Sequence, residues 1–316
     1  MDKEDLSALV TRIQRSSYSD GPGLRTTVFI KGCFFKCPWC HNPENINPET
    51  EIYYYHDKCQ RCGKCSEICP EDAITPVGPK GEYPIRNRNK CVKCMKCVEA
   101  CPADALEKVG DALSIDEIMA EVNRDRLFYQ TSGGGMTVSG GEPLYHPEFT
   151  HDLLKKAKDA AIHTCLDTTA NVKWEILDKV LNYVDLVLLD AKTMDAAKLK
   201  TLVGASLDLT MENAVKMAKR GTNMRLRLPI IPNFNFKRDN KDISDAYFKQ
   251  VLAFAKELGE SVVGIDLLPF HNFAEKKYEN LDMEYKYKGW PSMEKAEVRP
   301  FLEIFEGNGF EVTIGG

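Results

Sequence analysis

Residues 59–74 read CQRCGKCSEICPEDAI, and thirty-two positions later residues 91–106 read CVKCMKCVEACPADAL. Both runs have the spacing C-x2-C-x2-C-x3-C-P. In two-cluster proteins with this spacing, the fourth cysteine of each run ligates the other run's cluster. Cys59, Cys62, Cys65 and Cys101 are therefore expected to hold one [4Fe-4S] cluster, and Cys91, Cys94, Cys97 and Cys69 a second. A structural zinc domain is the alternative, but zinc needs only four ligands per site and the spacing suits a cubane better. The surrounding segment, 50–112, is rich in Cys, Pro, Lys and Glu and poor in long periodic runs. An internal repeat of this kind marks a small inserted domain. It relays electrons or serves a purely structural purpose; the spacing leaves both open.

Eleven of the twelve cysteines fall in three tight groups: 33–40, 59–69 and 91–101; Cys165 stands alone. The N-terminal MDKEDLSALVTRIQ is acidic and lacks an apolar core, so it is not an export signal. A chain without such a signal is expected in the cytoplasm with reduced thiols, and clustered cysteines then mean metal rather than disulfides. Net charge is −5 with no long basic run, so nucleic acid is not the expected partner. No apolar stretch approaches the roughly 18 residues of a membrane span.

Outside the insert, apolar strands alternate with amphipathic helices. Strands are predicted at 25–32, 136–140, 162–167, 184–192, 224–230 and 262–270, with a short one at 310–314. Helices are predicted at 114–129, 147–160, 173–181, 208–219, 242–258 and 294–307, the first opening on a Ser114/Glu117 capping box. Such alternation implies right-handed βαβ units and a mostly parallel sheet. Six main strands are too few for a closed eight-fold barrel, which leaves an open partial barrel or a doubly wound sheet. Either places its active site at the C-terminal strand ends. There the sequence puts GGE at 140–142, Asp167–Thr168, Asp190–Lys192, PFH at 269–271 and a third cysteine group.

That group, GCFFKCPWCHNPE (32–44), offers Cys33, Cys37 and Cys40 from one short loop. A cubane held by three thiolates has one iron open to a small molecule. The pattern C-x3-C-x-aromatic-C, with Trp39 as the aromatic residue, resembles the radical S-adenosylmethionine signature. DGPGLRTTVFIKGC (20–33), TVSGGEPL (137–144), DLVLLDAK (185–192) and LLPFH (267–271) are similar to motifs of the glycyl-radical-enzyme activating enzymes, many of which carry a two-cluster insert. The resemblance spans nearly the whole chain. The expected fold is then α/β: a partial (β/α)6 TIM-like barrel formed by 1–49 and 113–316, with a ferredoxin-like domain inserted at 50–112.

The resemblance implies three [4Fe-4S] clusters and bound S-adenosylmethionine, whose reductive cleavage yields a 5′-deoxyadenosyl radical that takes hydrogen from a glycine. Cys33, Cys37, Cys40 and Lys192 are the implied catalytic residues. Gly140, Gly141 and Glu142 are assigned to the amino group of the cofactor. Trp39, Asp190, Lys192 and His271 are further cofactor contacts. Asp167, Thr168 and Asp190, with the backbone carbonyl of Leu188, resemble a monovalent-cation site for Na+ or K+. Ala170 departs from a glycine frequent in the family, and Ala274 from another, whereas Lys277 and Tyr278 keep a lysine–aromatic pair. Arg225 and Arg227 share one strand face and would meet a carboxylate or form structural ion pairs. Asp20, Gly21, Gly23 and Arg25 are implied partner contacts. Cys165 reads as a buried filler.

The implied partners are a glycyl radical enzyme, through its C-terminal glycine loop, and a ferredoxin or flavodoxin as electron donor. The chain itself is expected to be a monomer. The usual pyruvate formate-lyase activator lacks the insert, which argues against that partner type. Two other readings of the motifs are a radical S-adenosylmethionine enzyme acting on a small molecule and a polyferredoxin-like electron carrier.

Overall fold

The computed structural model describes residues 6–238 and 241–315. Residues 1–5, part of the N-terminal segment read above, lie outside them. Among the described residues there are eleven strands: β1 (Ser7–Ser17), β2 (Arg25–Ile30), β3 (Glu51–Tyr54), β4 (Leu106–Val109), β5 (Asp111–Ser114), β6 (Gly135–Gly140), β7 (His163–Thr168), β8 (Leu186–Asp190), β9 (Met224–Ile230), β10 (Val262–Pro269) and β11 (Val312–Ile314). Nine form one sheet in the order β11-β10-β9-β8-β7-β6-β2-β1-β5. From β2 to β11 every pair is parallel, while β1 runs antiparallel to both β2 and β5.

The parallel strands lie in chain order without a reversal. A doubly wound sheet needs such a reversal at its switch point, so that alternative is excluded. The faces differ as period-two alternation requires. Val28, Ile30, Val138, Leu166, Leu189 and Leu228 join the main core with the helices. Helices Pro147–Asp159, Leu207–Arg220 and Lys241–Leu258 pack there. On the other face Thr137, Ser139, Asp167, Asp190 and Arg227 are polar. Among the described residues no helix is long and apolar enough to cross a membrane.

Two predicted helices change form, and one long strand is added. The helix expected at 114–129 opens on the Ser114/Glu117 capping box but splits into Ile115–Asn123 and Arg126–Ser132. At the break Asp125 turns inward, accepting from Arg15 Nε at 3.0 Å and Thr26 Oγ1 at 2.7 Å. The helix expected at 294–307 passes through a 3-10 turn at Arg299–Phe301, since Pro300 has no N–H to continue the ladder. Strand β1 was not predicted. Register shifts near Val10/Arg12 and Gln14/Ser17 break its alternation, which hides the pattern in sequence.

The segment carrying the two cysteine runs has its own small core of Ile52, Tyr54, Ile74, Cys97, Ala105 and Leu106, against which Cys59, Cys65, Cys69, Cys91 and Cys101 pack, while Cys62 and Cys94 are exposed. β3 pairs with β4, and the chain has rejoined the large sheet by Asp111, just before the expected boundary. The repeat is structural as well as sequential. Left-handed residues recur at equivalent places, Arg61 and Lys93, Gly63 and Met95, Asp72 and Asp104, and a short helix follows at Lys64–Glu67 and Lys96–Glu99.

Two close contacts set the strand ends. Gly140, at φ +125°, lies where a Cβ would be 2.2 Å from the Ile30 carbonyl oxygen. A Cβ at Gly141 would be 2.3 Å from that of Gly32 and 2.6 Å from that of Asn45. These neighbours are backbone and cannot swing aside. Gly141→Ala is expected to cost about 2 kcal/mol, lowering the melting temperature by roughly 5 °C, and to displace the loop after β2. Asp125→Ala should cost about 1 kcal/mol by removing the acceptor of the buried Thr26 hydroxyl. The Arg15 guanidinium, through its hydrogen bond, holds the Asp125 carboxyl below the usual carboxylate range. Its contribution is complete above the unfolded value and lost as pH falls through the lower folded one. The stability gap between wild type and Asp125→Ala should therefore close only below about pH 4.

Candidate active site

At the C-terminal ends of the parallel strands a cavity of about 220 Å³ is lined by Cys33, Cys37 and Cys40, by Ser139–Glu142, by Asp167–Thr169, and by Asp190, Lys192 and Arg227. The co-location expected from sequence is thus realised for the cysteine loop and three of the four later motifs.

The loop is fixed through its backbone. Gly32 N donates to Asn45 O at 2.8 Å, Cys33 N to Ile46 O at 3.1 Å, and Cys40 N to Cys37 O at 3.1 Å. Trp39 is buried against Phe234, ring centroids 4.3 Å apart, while still lining the cavity. Lys277 closes the loop's far end, donating to His41 O at 3.0 Å, Asn42 Oδ1 at 3.0 Å and Glu44 Oε1 at 2.6 Å. Burial pushes the Cys33 thiol up to about 12, and raises Cys37 and Cys40 as well. Three adjacent thiols so placed need a positively charged centre to exist as thiolates.

Glu142 departs from expectation. It is 1% exposed, and its carboxylate accepts from Thr168 Oγ1 (2.6 Å), Leu144 N (3.3 Å), Thr169 N (3.0 Å) and Thr169 Oγ1 (2.7 Å). Four donors use the approximately four lone-pair positions of a carboxylate. Glu142 is therefore a bracket between the ends of β6 and β7, not an open acceptor for an ammonium. Burial raises its pKa. Gly140 and Gly141 likewise allow close approach of the chain to itself.

Asp167, Thr168 and Asp190 share the cavity wall, but Leu188 does not line it; its side chain packs with Cys165 and Leu186. Each carboxylate faces a cation of the chain. Arg227 NH1 lies 3.4 Å from Asp167 Oδ2, and Lys192 Nζ donates to Asp190 Oδ2. Burial, with Asp190 nearby, raises Asp167 against the pull of Arg227. Burial opposes the charge on Lys192, but Asp190, Cys37 and Asp167 together outweigh it and the pKa is raised. Arg227 donates from NH2 to Ser19 O at 3.2 Å, and its Nε is buried without a partner. Arg225 takes the structural alternative, pairing with Asp266 at 2.6 Å and Glu311 at 2.9 Å. Ala170 adopts φ +53°, the left-handed conformation a glycine would supply, whereas Ala274 is helical at φ −72° and needs none.

Two further expectations are corrected. His271 does not line the cavity; it stacks on His41 at 3.8 Å, and only His41 reaches the wall. Arg25 is fully buried and makes no partner surface. It donates to Thr137 Oγ1 (2.6 Å), Pro22 O (3.0 Å) and Met136 O (2.7 Å), stapling the 20–23 turn to β6. Asp20, Gly21 and Gly23 stay partly exposed in that turn. Cys165 is the buried filler expected. The cavity adds Ser139, Thr169 and His41 to the site residues read from sequence. Thr169 had a signal in its place beside Asp167–Thr168; His41 acquires its stacking partner only through folding.

In the insert, one cavity is lined by Cys59, Cys62, Cys65 and Cys101, another by Cys69, Cys91, Cys94 and Cys97. This is the exchange of fourth cysteines expected from the spacing. Iron–sulfur clusters, with ligands spread around a larger body, fit these sets better than zinc. The active-site cavity suits a zwitterionic ligand: it offers paired charges, an aromatic wall and an unpartnered buried guanidinium nitrogen.

Comparison with known proteins agrees. Residues 88–245 match the radical SAM superfamily, 58–108 a 4Fe-4S dicluster domain and 19–78 a 4Fe-4S single cluster domain. The chain is 38% identical over 98% of its length to the benzylsuccinate synthase activating enzyme of Thauera aromatica, covering 92% of that protein. It is 36% identical over 97% to the (2S)-3-sulfopropanediol dehydratase activating enzyme of Klebsiella oxytoca, covering 96%. The pyruvate formate-lyase 2-activating enzyme of Escherichia coli is 32% identical over 99% of the chain, with 94% of that protein covered, so the insert alone does not set this chain apart from every activator so named. The chain belongs to the glycyl-radical-enzyme activating enzymes of the radical SAM superfamily.

Proposed function

We propose that this chain cleaves S-adenosylmethionine reductively and uses the resulting 5′-deoxyadenosyl radical to take hydrogen from one glycine of a partner glycyl radical enzyme of a type other than pyruvate formate-lyase. The observation carrying this reading is the single cavity in which three thiols meet the Asp190–Lys192 and Asp167–Arg227 pairs. Cys33, Cys37 and Cys40 would hold a four-iron cluster there, which supplies the low-potential electron when bound. Lys192 and Arg227 are the cations available for the carboxylate of S-adenosylmethionine. Asp190 is the acid that keeps Lys192 charged and aimed. Trp39, buried against Phe234, walls off one side and excludes water.

The remaining parts of the proposal follow from the same family. The large sheet, formed by 1–49 and 113–316, is read as a partial (β/α)6 barrel, and 50–112 as a ferredoxin-like domain with two further clusters. A monovalent cation would sit by Asp167, Thr168 and Asp190, near the Leu188 carbonyl. Asp20, Gly21 and Gly23 are the proposed contacts for the partner's glycine loop. A ferredoxin or flavodoxin would donate electrons to a monomeric, cytoplasmic enzyme.

Anaerobic reconstitution tests the reading. The wild-type chain should bind about twelve irons, three four-iron clusters' worth, and form 5′-deoxyadenosine when reduced with S-adenosylmethionine. Cys37→Ala should bind about four fewer and form none. Product from Cys37→Ala at the wild-type rate, or none from a fully loaded and reduced wild type given a partner enzyme, would overturn it.

A further inference from the structure

The two cysteine runs share a second regularity that ligation does not require. A basic residue directly precedes each of their first three cysteines: Lys58, Arg61 and Lys64 in the first run, Lys90, Lys93 and Lys96 in the second. No Asp or Glu lies within 58–65 or 90–97.

Folding treats the two loops differently. In the second, Lys90, Lys96 and Cys94 are exposed and the two lysines have no carboxylate partner among the described residues, but the middle cation is neutralised and the chain before the run is fastened to neighbouring structure. Lys93 pairs with Glu49, Arg88 donates to Glu51 and to Leu281 O at 2.5 Å, and Arg86 lies 3.6 Å from Asp282. The first has no such ties. Lys58 lies over the Tyr55 ring at 4.2 Å and Arg61 over Tyr83 at 4.1 Å. Among the described residues, neither they nor Lys64 pair with a carboxylate, and all three are exposed. Cys62, in their midst, is exposed and lines the Cys59–Cys65–Cys101 cavity. Pro84 lines that cavity too, and the next residue, Ile85, is 70% exposed, an apolar spot beside the charges. Asp57 and Glu67 flank the loop in sequence, leaving a positive excess centred on Cys62.

We propose that the Lys58–Arg61–Lys64 collar around Cys62 is the docking surface for a small acidic protein carrying one low-potential electron. Electrons then pass from the first-run site to the second-run site and on to the Cys33 loop. This rests on the function proposed above. In the docking step the carrier loses one electron and the site held by Cys59, Cys62, Cys65 and Cys101 gains it. No bond forms or breaks. A carrier that must leave after each transfer suits a small, charge-steered contact, and complementary charge acts mainly on the association rate.

The test compares matched charge reversals at equivalent repeat positions in the reconstituted full chain. One variant carries Lys58→Glu with Lys64→Glu, the other Lys90→Glu with Lys96→Glu. Iron content and visible absorbance check that both are loaded. Stopped-flow absorbance follows their reduction by a reduced acidic flavodoxin, and isothermal titration follows binding of the oxidised flavodoxin. The first variant should be reduced about tenfold or more slowly at low salt, a gap closing at high salt, and should bind more weakly. The second should change less than about threefold. Equal losses, a larger loss in the second variant, or a wild type that flavodoxin does not reduce would overturn the docking site. Formation of 5′-deoxyadenosine by wild type with dithionite is scored separately, so failure of the docking site is distinguishable from failure of the proposed function.

Discussion

The ends of β2 and β6 meet backbone to backbone, with no side chain between them, and the active site depends on that contact. Gly140 and Gly141 make room for the carbonyls of Ile30 and Gly32, and Glu142 N donates to Gly32 O at 2.9 Å. The cysteine loop begins at this point, so its first thiol is placed by the sheet rather than by the loop's own flexibility. Glu142 extends the brace to β7 through Thr168 and Thr169. A carboxylate buried this deeply is tolerable because four donors replace its water.

A second brace joins the insert to the sheet. Lys31, next after β2 and fully buried, donates to Glu51 Oε2 at 3.1 Å and to Glu44 O. Glu51 opens β3 and also receives Arg88 from just before the second cysteine run. Gly110 lies where a Cβ would be 2.5 Å from the Lys31 stem, so the chain returns to the sheet past that side chain. Burial lowers the Lys31 pKa, with Glu51 opposing the fall. Buried pairs like this add little net stability because desolvation offsets their attraction. What the pair supplies here is position: it ties the second cysteine run to the residue two places before Cys33.

The cavity follows the same logic of placed charge. Two of its carboxylates, Asp190 and Asp167, each face a cation, so bringing a zwitterion there would exchange partners rather than bury a new unpaired charge. Arg227 is the pivotal member. It reaches Asp167 on one side and the carbonyl of Ser19, directly before Asp20, on the other, and thereby links the cavity to the turn proposed as the partner contact.

The sequence by itself determined the ligand sets and the βα order. Cysteine spacing, strand alternation and the Ser114/Glu117 cap act over a few residues, so local pattern is enough to read them. The exchange of Cys69 and Cys101 between runs was legible for the same reason, since the repeat fixes both halves. Tertiary structure alone decided which polar groups remain free. Glu142 looked open until Thr168 and Thr169, twenty-six and twenty-seven positions away, took its oxygens. Arg25 looked like a surface residue until β6 closed over it more than a hundred positions later. His271 found His41 rather than the cavity. A strand pattern says which face a side chain occupies, but its hydrogen bonds depend on what the rest of the chain brings within about 3 Å, and that distance is set only when the sheet is assembled.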